Sequence, residues 1–186
     1  MKIVFYKTLL KRAKNITPSE RILYSFLVSK CISRIDCVFS TDGTEINLEC
    51  LYEVLDDNDN TIDLCDLNHT KIANEIKQDR KTVIDGLRHL EELGYIGDSW
   101  IYVNKELVEH GYFELHHAEL LKGELLIFYS YLLDKSKIYG YCIDTYKSKL
   151  AELFGKSKVA ITKLLYRLYD IGLAQRLENG ELKLLY

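Results

Sequence analysis

Apolar residues recur at helical spacing in several stretches of the chain, with turn residues between them. Ile22, Leu23, Phe26 and Leu27 form a stripe three and four residues apart, the mark of a helix that buries one face. Thr17-Pro18-Ser19-Glu20 in front of it supplies a hydroxyl cap and a proline in the first turn, which predicts a helix start. A short helix is expected from Asn68 or Thr70 through Ile76. Asp79 then caps a third helix on which Val83, Leu87 and Leu90 share a face, and Gly94 stops it, since the left-handed position after a helix favours glycine. Tyr95–Val103 reads as two short strands around Gly97-Asp98-Ser99.

The same order recurs downstream. Residues 71–96 lie over residues 149–174 without a gap, Lys71 matching Lys149 78 positions on. Ala73/Ala151, Leu87/Leu165, Leu90/Leu168 and Gly94/Gly172 are identical, and Ile72/Leu150, Ile76/Phe154 and Val83/Ile161 are alike. Upstream, residues 24–30 match 129–135 at an offset of 105. The change of offset places 27 extra residues in the first copy, within 31–67. The second copy is then predicted as helices over 123–133, 146–154 and 158–171, with Gly155 in the turn, Ser157 as cap and Gly172 as stop. A hairpin follows around Glu178-Asn179-Gly180. Where the second copy has Gly155 the first has Lys77, so a looser turn is expected there. Strand-like Ile3–Tyr6 and Trp100–Val103 precede the two first helices. They put the boundary between units 1–103 and 104–186, with the first unit running directly into the second. Residues 51–64 read as a hairpin with a polar tip.

Charge changes the picture once it is divided along the chain. The net charge is −3, yet residues 31–67 hold ten acids against Arg34 alone, a local −9 that leaves the remainder at +6. That remainder can present a basic face to phosphates. Cys31, Cys37, Cys50, Cys65 and Cys142 are odd in number and show no CxxC spacing, which predicts reduced, buried thiols and no zinc site. Lys7, Lys11, Arg12 and Lys14 interrupt the N-terminus before an apolar run develops. No signal peptide or membrane span is expected, and the chain reads as cytoplasmic.

Leu150-Ala151-Glu152-Leu153-Phe154-Gly155-Lys156-Ser157, followed by Ile161, Leu165, Leu168 and Gly172-Leu173, resembles the helix-turn-helix signature of bacterial winged-helix regulators and replication initiators. Thr17 through Leu27 resembles the first helix of such domains in plasmid and phage replication proteins. The resemblance implies a mainly α fold with small β wings (α+β), built as two tandem winged-helix units, the first with an acidic insertion. It implies double-stranded DNA as partner, with each third helix in the major groove. Outward positions on these helices are Gln78, Arg80, Lys81, Thr82, Asp85 and Arg88 in the first unit. In the second they are Lys156, Lys158, Ala160, Thr162, Lys163 and Arg167. Arg and Lys pair with guanine edges and Gln with adenine. Phosphate contacts are expected from Lys71, Lys77, Lys147 and Lys149 before the turns, and from Arg176 and Lys183 on the second wing.

Other chemistry is weakly signalled. The acidic run Asp56–Asp63 lacks the glycine and terminal glutamate of a calcium loop. The adjacent His116 and His117 diverge on either a helix or a strand. No P-loop, nucleophile elbow or HExxH occurs, so neither an enzyme nor a cofactor is expected. The 14 tyrosines read as core residues by default. The functional expectation is a transcriptional regulator or a replication-initiator-like accessory protein of a mobile element. The alternative is a protein-interaction module of the chromosome-segregation-accessory type that binds a protein partner instead of DNA; a homodimer is left open by either reading.

Overall fold

A computed structural model of the chain describes residues 3–11, 15–39, 61–63, 68–97, 100–103, 107, 110–137, 142–143 and 147–185. It is mostly helical with small antiparallel sheets, an α+β protein. Strand β1 (Ile3–Tyr6) passes through a 3-10 turn to helix α1 (Pro18–Phe39). Strand β2 (Thr61–Asp63), helices α2 (His69–Ile76) and α3 (Arg80–Glu92), and strand β3 (Trp100–Tyr102) complete the first half. The second half runs β4 (Tyr112–Leu115), α4 (Gly123–Ser136), β5 (Cys142–Ile143), α5 (Lys147–Leu153), α6 (Lys158–Asp170), β6 (Ala174–Arg176) and β7 (Leu182–Leu184).

The expected helix starts are made by the expected caps. Thr17 and Glu20 form a reciprocal capping box: the Thr17 N–H donates to Glu20 Oε2 at 2.6 Å, and the Glu20 N–H donates to Thr17 Oγ1 at 3.3 Å. Burial raises the Glu20 pKa, but the hydrogen bonds from Thr17 and His89 outweigh it and hold the carboxyl below its ordinary range. Asn68 Oδ1 accepts from Thr70 N and Lys71 N, Asp79 Oδ1 from Thr82 N, and Ser157 Oγ from Ala160 N. Each satisfies donors the helix itself leaves unpaired. Val83, Leu90, Ile161, Leu165 and Leu168 are buried on the faces the periodicity assigned to them.

Three features depart from the sequence reading. Helix α1 runs 22 residues against 14 for α4, so part of the extra length in the first half is a longer helix. Thr61–Asp63 pairs antiparallel with β3, Ile62 opposite Ile101, and Ile101 also bridges Ile96. The second half repeats this order with β5 on β7 and β7 on β6. Strand β2 is therefore the counterpart of β5, a two-residue strand that the sequence reading passed over. The rest of the expected 51–64 hairpin and the acidic run 56–60 lie outside the described residues. Of the first hairpin, Ile96 contributes only a single bridge instead of a full strand. Finally, the strand directly preceding α4 is Tyr112–Leu115, while Trp100–Tyr102 belongs to the first half's sheet.

Strand β4 pairs antiparallel with β1, Phe5 opposite Phe113, and joins the two halves. Two equivalent serines anchor these strands to the first helices. Ser25 Oγ accepts from Tyr6 N at 2.9 Å and donates to the Val4 carbonyl, while Ser130 Oγ accepts from His116 N at 2.8 Å. Helix α1 packs on α4, and a single cluster of buried apolar side chains runs through both halves.

The turn between α2 and α3 is not looser than its counterpart. Lys77 sits in the left-handed region at φ 56°, beside φ 60° for Gly155. Both turns close the same way, Gln78 N to Ala73 O at 3.1 Å and Lys156 N to Ala151 O at 2.8 Å. A lysine there is strained because its Cβ crowds the following carbonyl. Lys77→Gly is therefore expected to stabilise the protein by about 0.5–1 kcal/mol, the strain relieved less the extra chain entropy of glycine. Chemical denaturation would show it as a raised midpoint at unchanged slope, and a lowered midpoint would refute it.

Candidate nucleic-acid interface

Each half presents the same local device, a short helix, a left-handed turn and a capped third helix. In the first half Arg80, Lys81, Asp85 and Arg88 are exposed along α3. Two of the six predicted contact residues are hydrogen-bonded within the protein. The Gln78 amide donates to the Ser19 carbonyl at 3.3 Å, and the Thr82 hydroxyl donates to Asp79 Oδ2 at 2.5 Å. Arg88 also stands 4.0 Å from Asp85 one turn back. Arg80 and Lys81 are left as the outward cations of the first turn.

The second half is more open. Lys158, Lys163 and Arg167 are exposed along α6, with Ala160 and Thr162 half-buried beside them. The Thr162 hydroxyl donates to the Lys158 carbonyl at 2.9 Å. Lys156, in the turn, is half-buried and lies 3.5 Å from Glu124 Oε2. Lys71, Lys77, Lys147 and Lys149 are all exposed at the starts and ends of the preceding helices, and Arg176 and Lys183 are exposed on the hairpin β6–β7. That hairpin closes where its Asn-Gly signal placed it: Gly180 has φ 86° and Asn179 Oδ1 accepts from Glu181 N.

Both turns are tied to the opposite half. Lys122, in the lead-in to α4, donates to the Lys77 carbonyl of the first turn and to Ala118 O. Glu124 Oε2, which faces Lys156 of the second turn, accepts from Arg21 Nη2 of α1 at 2.7 Å. Arg21 also donates to the Leu9 carbonyl. The first turn is thus held directly by a residue from across the junction, and the second through Glu124 of its own half. Sequence reasoning missed Lys122, Arg21 and Glu124, since nothing in a linear pattern marks contacts that distant in the chain.

Sequence reasoning also misjudged two aromatics. Tyr166 on α6 is 60% exposed and Tyr112 on β4 is 58% exposed, although tyrosines read as core by default. The signal was present in the periodicity: Ile161, Leu164, Leu165 and Leu168 make the buried stripe, and Tyr166 falls outside it. His116 and His117 do diverge, the first toward Lys137 and the second toward Glu119. Among the described residues no three His, Cys, Asp or Glu side chains gather as a metal site, and no helix is long and apolar enough to cross a membrane. The cysteine side chains lie outside what the structure describes. Comparison with protein-family models, curated proteins and solved structures finds no match to this chain.

Proposed function

We propose that this chain is a DNA-binding protein made of two tandem winged helix-turn-helix units, residues 1–103 and 104–186. In this reading it acts as a transcriptional regulator or a replication-initiator-like accessory protein of a mobile element. The observation that carries the reading is the repetition of one turn geometry with an exposed cation, Arg80 or Lys158, in the same register at the start of each third helix. A helix presented this way offers its N-terminal half to base edges, while the preceding helix and the hairpin offer cations to phosphates. The second unit is the stronger reader, because α6 carries Lys158, Lys163 and Arg167 where α3 mixes cations with Asp85, Glu91 and Glu92.

The test is fluorescence anisotropy of the full chain on duplex DNA across salt. Binding is expected to fall linearly on a log–log salt plot. Lys158→Ala/Lys163→Ala should reduce the slope by about 1–2 and Arg80→Ala/Lys81→Ala by less, since each phosphate contact contributes about 0.9. A second reading, a protein-binding module without direct DNA contact, draws on the exposed apolar Val159 and Ile171 at the two ends of α6. Absence of duplex binding at low salt by folded protein would reject the first reading in its favour.

A further inference from the structure

A cleft of about 340 Å³ opens between the start of α5, one flank of α6 and the hairpin β6–β7. Lys147, Thr162, Leu165, Tyr166, Tyr169 and Arg176 are among the residues that line it. The two tyrosine rings meet edge to face, centroids 6.0 Å apart at 86°. Burial raises the Tyr169 pKa above the ordinary tyrosine range against the opposing pull of Arg176, so its hydroxyl is a neutral donor beside the guanidinium.

The repeat shows that this lining is particular to the second half. Helices α5 and α6 begin 78 positions after α2 and α3, so the register covers the helical walls of the cleft. The sequence counterparts of Lys147, Tyr166 and Tyr169 are His69, Arg88 and Glu91. Both tyrosines are replaced by charged residues, so the aromatic wall has no counterpart in the first half.

Two cations and an exposed ring lining one space, at the small end of ligand pockets, match a phosphate joined to a flat base. Duplex backbone alone has no use for the aromatic wall, because paired bases keep their faces stacked on one another. An unpaired base has a free face, and exposed aromatic rings bind such faces with little regard to sequence. We propose that the cleft holds one unpaired nucleotide of a nucleic-acid strand, its phosphate between Lys147 and Arg176 and its base on the ring of Tyr166. This rests on the nucleic-acid reading of the second half and adds to it a preference for duplex next to single strand.

The experiment compares a blunt duplex, the same duplex with a short thymidine overhang on either strand, and the single strand alone, by anisotropy with the full chain. The overhang should tighten binding about tenfold. Tyr166→Ala should abolish the gain while leaving blunt-duplex affinity within about twofold. Tyr166→Phe, which keeps the ring, should retain the gain, and Arg176→Gln should reduce it. An overhang that adds nothing, or a gain that survives Tyr166→Ala, overturns the proposal while blunt-duplex binding keeps the underlying reading intact. Tyr166-dependent binding of single strand without any duplex binding would support the cleft and reject the duplex reading. Loss of the gain on adding micromolar adenosine monophosphate would assign the cleft to a free mononucleotide and overturn the strand.

Discussion

Glu124→Ala is expected to lower the unfolding free energy by about 3–5 kcal/mol, the cost of leaving one partner of a buried ion pair without the other. Arg21 and Glu124 are only 8% and 15% exposed, and their closest atoms are 2.7 Å apart. With the carboxylate gone, the guanidinium retains only the Leu9 carbonyl, and its Nε already has no partner. For a chain of this size the thermal midpoint should fall by about 6–20 °C. The pair's net contribution is a separate quantity. Arg21→Met/Glu124→Leu removes both charges and fills the space, so it should recover to within about 1–2 kcal/mol of the native protein. Guanidinium denaturation of the native chain, Arg21→Met, Glu124→Leu and the double variant closes the cycle. A double variant no more stable than Glu124→Ala would mean that lost packing, and not an uncompensated charge, sets the cost.

This junction is also where the sequence was least informative. The helices of each half were legible because their information is local: a cap such as Asp79 or Ser157, an apolar stripe, and a glycine at the stop. The repeat doubled each of those signals. Strand β5 was invisible because two residues give no alternation to detect, and β2 was assigned to a hairpin because its partner lies some forty residues on, at Trp100–Tyr102. The left-handed Lys77 shows a different limit. Residue preference argued for a looser turn, but the hydrogen bond from Gln78 N to Ala73 O, together with packing against Lys122, imposes the glycine-like conformation on lysine. Among the candidate contact residues the outward cations were found by periodicity. The engagement of Gln78 with Ser19 and of Lys156 with Glu124 depends on neighbours from other helices.

Phe113→Ala is expected to cost about 3–5 kcal/mol and to do so in both halves at once. Phe113 is 2% exposed and Phe5 fully buried, their rings 5.3 Å apart across the β1–β4 pair. From Phe113 the aromatic contacts continue through Tyr131 to Phe154, at 5.8 and 5.5 Å, reaching the residue just ahead of the second turn. A cavity at Phe113 therefore loosens the strand that carries the first half's N-terminus and the helix that supports the second half's turn. The chain's single tryptophan, Trp100, belongs to the first half, whereas far-UV circular dichroism reports helices of both. If the halves share one core, the two probes should give coincident transitions in guanidinium for the native chain, and Phe113→Ala should shift both by the same amount. If instead the dichroism transition moves while the tryptophan transition stays in place, the halves unfold independently. The ties at Lys122–Lys77 and Arg21–Glu124 would then align two autonomous units instead of completing a single one.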